Sequence, residues 1–311
     1  MIITKSDWPA MREKLESLFR VSFGSPIKPG HLDWRYFDNG QPHLLFSLDM
    51  KDGCPMSSYS AFPVELICND QKYQTAISMT TMTHPAEQGK GHILRVAKEL
   101  YEHAENLGFS GVWGFPNAKI HLLRNVMLAW SDIYEIPTMV LDVAKADMRK
   151  LFMDSAVQRD DEFSLDYSGL PKDGLIRVHR SQSYLSWRYA RNPINTYHNY
   201  VLSREGRVSS YVVTKTYGEG IDLVDIQSST PQEARALLTH IAKLSHDNGL
   251  RHLYCWAPPH HSVHGVLERL GFENSAPITY FGGRELIPSA TPLGWLDYKN
   301  WYIQMGDSDV Y

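Results

Sequence analysis

The sequence predicts an α+β fold with a mixed sheet, built twice in tandem. Three observations carry this reading. Strand-like stretches follow one another before residue 85, and helices alternate with strands after it. Landmarks of the first half recur in the second. A glycine-rich turn joins a strand to a helix in the first copy and has no counterpart in the second.

In the first segment Trp8, Met11, Leu15, Leu18 and Phe19 recur at three- and four-residue steps, which predicts an amphipathic helix capped by Ser6 or Asp7. Gly24-Ser25-Pro26 stops it. Strands are predicted over 44–50, 57–69 and 73–85, the last two joined by a turn at Asn69-Asp70. A long helix follows, with Ile93, Ala97, Leu100, Ala104 and Leu107 on one face and Gly108 as its stop. Next come a buried strand at 111–117, a helix through Leu128 and a strand at 138–143. The stretch 145–174, with its Leu170-Pro171-Lys172-Asp173-Gly174 turn, reads as a linker. Domains are therefore expected over 1–155 and 156–311.

The repeat is visible in quoted pieces. HLDWRYFDNG at 31–40 matches YLSWRYARNP at 184–193. AENLGFSGVWGFPN at 104–117 matches SHDNGLRHLYCWAPP at 245–259, and Ala129-Trp130 matches Gly271-Phe272. What both copies carry is scaffold, so Trp34-Arg35-Tyr36 and Trp187-Arg188-Tyr189 read as packing. What one copy carries alone is a candidate for function.

Bulk properties narrow the classes. A chain of 311 residues with 43% hydrophobic and 21% charged residues is that of a globular protein of two domains. A net charge of −4 without a basic stripe argues against a nucleic-acid partner. No apolar run reaches the roughly 20 residues that span a bilayer, and charges interrupt the first twenty positions, unlike a signal peptide. Cys54, Cys68 and Cys255 match no metal spacing, which predicts reduced thiols in a cytoplasmic protein. His260, His261 and His264 lack a completing carboxylate or thiolate, and no metal is expected.

The single-copy feature is QGKG at 88–91. A helix start leaves backbone N–H groups without partners, and its dipole favours an anion. Gly89 and Gly91 leave that start open, so N–H groups from Gly89 through Lys90, Gly91 and His92 to Ile93 would face a phosphate, with Lys90 adding charge. The second copy opens the matching helix with Thr230 as cap, Pro231 at the first position and Glu233 completing a capping box.

The strand–HPAEQGKGHI–helix segment resembles the acyl-CoA-binding motif of the GNAT (Gcn5-related N-acetyltransferase) superfamily, Arg/Gln-x-x-Gly-x-Gly/Ala. Gln88 and Gly91 match its first two fixed positions, and Ile93 departs from the third. GFPN at 114–117 resembles the next strand of that family and its following polar residue, Asn117, which in relatives holds the pantetheine arm or the helix turn. Ala129-Trp130 and Gly271-Phe272 resemble the Gly-Phe after the next helix. The resemblance implies two tandem GNAT-like domains, the second degenerate, similar to proteins of bacterial polysaccharide and amino-sugar gene sets.

It also implies an activity. An acetyl-CoA-dependent N-acetyltransferase would pass its acyl group to a small-molecule amine, an amino sugar among the options, by direct attack. Acetyl-CoA is the co-substrate, its carbonyl polarised by a backbone N–H near Met82 or Thr83. The family's usual acid positions hold Ser78, Thr80, Thr81 and Asn125 instead. Glu65 as base and Tyr134 as acid are the substitutes, followed by His84, Asp307 and Asp309. The second copy would close the substrate cleft, with Trp256, Tyr280 and Tyr217 as lining. Two alternatives are a non-catalytic acyl-CoA-binding protein and a Fem-like aminoacyltransferase using aminoacyl-tRNA, against which the intact QGKG turn counts.

Overall fold

The computed structural model describes residues 1–147 and 151–311. In chain order the elements are β1 (Ile2–Ile3), α1 (Trp8–Phe23), β2 (Leu45–Lys51), β3 (Cys54–Cys68), β4 (Gln71–Thr83), α2 (His92–Asn106), β5 (Gly111–Gly114), α3 (Ala118–Met127) and β6 (Ser131–Asp142). They continue with β7 (Gln158–Arg159), β8 (Arg177–Val178), α4 (Gln182–Leu185), β9 (His198–Arg204), β10 (Arg207–Tyr217), β11 (Gly220–Ser228), α5 (Pro231–Asp247), β12 (His252–Cys255), α6 (His264–Leu270) and β13 (Glu273–Glu285).

Two compact units form. The first takes Met1–Tyr134 and Tyr280–Tyr298, the second Glu135–Thr279 and Lys299–Tyr311. The long strands β6 and β13 each begin in one unit and finish in the other. In the first unit the strand order is β1-β2-β3-β4-β5-β13-β6, with β13 antiparallel to β5 from Gly282↔Gly114 to Glu285↔Gly111. In the second unit the order is β13-β6-β12-β11-β10-β9-β7, with β6 antiparallel to β12 from Asp142↔His252 to Met139↔Cys255. Each unit thus completes its sheet with a strand from the other half of the sequence. Both sheets are mixed, because β4–β5 and β11–β12 are parallel pairs among antiparallel ones.

Local chemistry explains the elements. Asn69 and Asp70 both take positive φ, 49° and 63°, as the tight turn between β3 and β4 requires. Helix α2 buries Val96, Ala97, Leu100, Tyr101 and Ala104 against Leu45, Tyr59, Ala76 and Val112, with Ile93 and Leu107 packed at the margin. Each large aliphatic side chain so buried stabilises by about 1.5–3 kcal/mol. In the second unit α5 plays the same part, burying Ala234, Leu237, Leu238 and Ile241.

Backbone details repeat with the sequence. Trp34-Arg35-Tyr36 and Trp187-Arg188-Tyr189 each lie buried in a π-helical turn, Asp33–Phe37 and Ser186–Ala190. Ala129 and Gly271 both close their helices in the left-handed region, at φ 52° and 97°. The linker expected at 145–174 is a correction in part. Phe163 and Tyr167 are buried in the second unit's core, and the Asp160 carboxylate accepts from Ser164 N, Leu165 N and the Tyr167 hydroxyl. Positions 148–150 of that stretch lie outside the described residues.

The second unit fills its own sheet gap. Strands β11 and β12 pair only from Gly220↔His252 to Asp222↔Tyr254 and then part. Segment 299–311 packs there: the Tyr302 hydroxyl donates to Ile226 O, Ile303 N donates to His261 Nε2 at 3.3 Å, and Tyr302 stacks on His261 at 4.4 Å. Arg180 bonds Asp225 of β11 at 2.6 Å and Asp307 at 2.8 Å, all three buried.

The strand exchange gives a first prediction. A chain ending at residue 155 leaves β5 without its β13 neighbour, exposing an edge that templates aggregation. Size-exclusion chromatography should show aggregate and circular dichroism no cooperative melt. A monomer melting cooperatively would contradict the exchange.

Candidate active site

Strands β4 and β5 pair in parallel only from Thr75↔Gly111 to Ile77↔Trp113. Beyond that, β4 runs on to Thr83 still paired with β3, while β5 ends at Gly114. At the parting point a Cβ on Gly114 would meet Ser78 O at 2.9 Å, so only glycine fits. From Ser78 onward the edge of β4 turned toward β5 is not used by that strand. The β3–β4 register slips between Ser58↔Met82 and Ser60↔Met79, which makes Thr80 and Thr81 a bulge. Thr80 sits at φ 48°, an outlier for a β-branched residue. Thr81 Oγ1 is buried without a partner among the described residues.

The glycine turn follows. Gly89 and Gly91 both have φ 78°, and a Cβ on either would meet nothing within 4 Å. Gly91 is the N-cap of α2 and supplies no side-chain bond. Among the described residues, none accepts from the N–H of Gly89, Lys90, Gly91, His92 or Ile93. The start of α2 is therefore a ready anion cradle. In the second unit Thr230 Oγ1 accepts from Glu233 N at 3.2 Å and caps α5. The capping box there is only half made, because Glu233 turns instead to Ser209, Ser210 and Arg204.

Charges around the cradle are paired. Lys90 donates to Glu87 at 2.9 Å, His92 Nε2 lies 3.2 Å from the same carboxylate, and Lys51 is 3.5 Å away. The Lys90 hydrogen bond, helped by His92 and against partial desolvation, holds the Glu87 carboxyl down at about 2. Asp49 bonds His92 Nδ1 and Arg95. The charge expected from Lys90 is thus shared with Glu87, and an arriving anion would compete for it. Gln88 follows a short turn of Pro85–Glu87 in extended conformation. His84 Nδ1 caps that turn by accepting from Ala86 N at 3.3 Å. Met82 is buried opposite Ser58, and Thr83 accepts from Ser22 Oγ through its carbonyl at 3.2 Å. Ile93 is half-buried against the core, which accounts for its departure from Gly or Ala.

Asn117 holds the helix turn: its Oδ1 accepts from Lys119 N at 3.0 Å and Ile120 N at 3.2 Å, starting α3. That helix carries two groups that sequence reasoning missed. His121 Nε2 lies 2.7 Å from Asp132 Oδ1, its ring stacked on Tyr280 at 3.9 Å. Asn125 Nδ2 donates to the other Asp132 oxygen at 2.9 Å. One turn along, Arg124 is buried and donates from Nη2 to Ser78 Oγ at 2.9 Å. Ser78 in turn bonds Tyr59, Tyr59 bonds Tyr101, and Trp130 Nε1 donates to Tyr101. The signal was the i,i+3 spacing of His121 and Arg124.

Other expectations are redirected. Glu65 pairs with Lys72 at 2.9 Å near the β3–β4 turn, opposite Gln74 and thus before the β4–β5 pairing begins. From there to Ser78 is four residues of strand, about 13 Å, so the geometry does not bring Glu65 to the gap as a base. Tyr134 stacks on Tyr298 at 4.3 Å, and burial together with Tyr298 raises its hydroxyl pKa, which makes it a poorer acid. Asp307 is locked to Arg180 within the second unit. Trp256 is buried and Tyr217 is exposed in that same unit. His260 and His264 are held by the carbonyls of Trp301 and Ala257. Among the described residues no group of His, Cys, Asp and Glu is arranged for a metal, and no helix is long and apolar enough to cross a membrane.

No family model and no curated sequence matches the chain. By structure it is similar to a conserved protein of Enterococcus faecalis V583 described as a probable N-acyltransferase. That match has TM-score 0.67 and 12% identity, covering 90% of this chain and 72% of that one. It is also similar to a GCN5-related N-acetyltransferase from Kribbella flavida, with TM-score 0.64, 13% identity and coverage of 93% and 72%. A third such protein, from Anabaena variabilis ATCC 29413, gives TM-score 0.65, 9% identity and coverage of 89% and 71%. The chain has the fold of the GCN5-related N-acetyltransferases.

The cradle geometry is testable on stability alone. Gly91→Ala meets no atom but must hold a left-handed backbone, which costs about 1–2 kcal/mol. A chain of this size should melt a few degrees lower and otherwise fold normally, as calorimetry would show. An unchanged melting temperature would contradict the left-handed cap.

Proposed function

We propose that the chain transfers an acetyl group from acetyl-CoA to the nitrogen of a small amine, and that the first unit does the work. One observation carries the reading. An uncapped helix start with Gly89 and Gly91 follows directly on a strand, β4, whose edge is left unpaired past Ile77. The backbone N–H groups of Gly89 to Ile93 would hold the pyrophosphate. The edge of β4 from Ser78 to Thr83 would pair with the amide groups of the pantetheine arm, as an added strand does. The strained bulge at Thr80–Thr81 re-aims the backbone beside that arm.

The second unit lacks both features. Thr230 fills the start of α5, and segment 299–311 occupies the gap between β11 and β12. Under this reading it binds no CoA.

An amine must lose a proton as it attacks. His121 and Asp132 are the pair suited to take it. With Nε2–H donating to Asp132, Nδ1 carries the lone pair and acts as base, and the carboxylate steadies the imidazolium that forms. Sugar amines and other small primary amines form the acceptor panel.

Calorimetric titration of acetyl-CoA into the whole chain tests the donor. The expected result is one site per chain, with Gly91→Asp abolishing it by placing like charge in the cradle. The absence of heat with the unaltered protein would overturn the proposal. Once an acceptor is found, His121→Ala should lower turnover about 10²-fold or more with acetyl-CoA affinity unchanged. Full turnover in that variant would remove His121 from the mechanism.

A further inference from the structure

Helix α3 packs Leu123 against the core but also buries a charge and exposes apolar side chains. Leu122 and Val126 are 69% and 68% exposed, while Arg124 is 3% exposed and is the side chain the helix buries. An ordinary amphipathic helix would turn its apolar residues inward. Arg124 forms no ion pair among the described residues. Its Nη2 reaches Ser78 Oγ, and its Nε and Nη1 are buried with no acceptor. The rings of Trp130, at 4.4 Å, and Tyr59, at 5.8 Å, offset part of the desolvation but give those N–H groups no oxygen. A buried cation without a counter-charge is costly to keep, and apolar residues of similar size were available on the same helix.

Its position says what it waits for. Ser78 is the first β4 residue beyond the last β4–β5 pair, so Arg124 stands at the closed end of the gap. The glycine turn lies beyond Thr83, at the open end. An arm anchored at that turn and running back along β4 brings its far end, the thioester, toward Ser78.

We propose that Arg124 receives the negative charge that develops on the thioester sulfur as the C–S bond breaks. This rests on the acyl-CoA reading above. The amine nitrogen forms a bond to the carbonyl carbon and gives up a proton to a base. The C–S bond then breaks, its electron pair stays on sulfur, and CoA leaves as thiolate beside the guanidinium, to be protonated by solvent. Arginine cannot donate that proton near neutral pH. It removes the need for a donor, which accounts for the missing acid.

The test needs no acceptor. CoA is bound to the intact chain, and its thiol is titrated by thiolate absorbance. The midpoint should fall about one pH unit or more below that of free CoA. Arg124→Met should bind CoA, lose the depression and melt no lower than the parent, because an apolar isostere relieves the buried charge. Arg124→Lys should keep part of the depression. A bound thiol that titrates like free CoA, a depression that survives in Arg124→Met, or failure of both variants to fold would each overturn the assignment. Failure of CoA to bind at all would instead overturn the acyl-CoA reading.

Discussion

The parting of β4 from β5 after Ile77 and Trp113 is the constraint on which the first unit depends. A parallel pair can open only if something else holds each strand. Strand β4 is held by β3 along its whole length, and β5 by β13 from the far side of the sequence. With both strands supported from outside, the gap between them need not be closed by their own hydrogen bonds. Glycine at 114 lets the backbones come close at the hinge of the gap and no further. The helices that flank the gap then start at fixed points, one at an uncapped glycine and one at the Asn117 cap.

The two units treat the corresponding gap differently. In the second, the gap between β11 and β12 receives the chain's own segment, with the Arg180–Asp225–Asp307 network buried beneath it. There Arg180 bridges the two carboxylates within the unit. In the first, Arg124 and Thr81 keep buried polar atoms without partners. Natural interiors leave few such groups, and each calls for a reason. The second unit keeps such atoms too, on Asp225 and Gln304 among others, so what sets Arg124 apart is its place at the end of the β4–β5 gap.

Much of this was legible in the sequence. The Asn69-Asp70 turn, the face of α2, the duplicated Trp-Arg-Tyr and the open start at Gly89 and Gly91 are local patterns, and local chemistry specifies them. What the sequence did not disclose is non-local or ambiguous. Pairing of residues 282–285 with 111–114 leaves no trace near either segment. The run from Ala118 to Met127 offers apolar residues on more than one side, so its periodicity does not say that Arg124 is the one turned inward. The packed part of 145–174 was hidden because turn-formers and charges dominate it. Its anchors, Phe163 and Tyr167, are too sparse to make a period.

Strand β13 also sets a timetable for synthesis. By the time a ribosome has made β5, every residue of the first unit's main sheet exists except the ones that close it. Roughly 170 further residues must emerge before Gly282 can meet Gly114. At about 5–20 residues per second that is on the order of ten seconds or more. For that interval the nascent chain carries an open strand edge, while the second unit is being made and itself awaits the first residues of β13. Completion of the two units is therefore a late and nearly simultaneous event. Conditions that slow elongation through 135–279 should lengthen the window in which that edge is open.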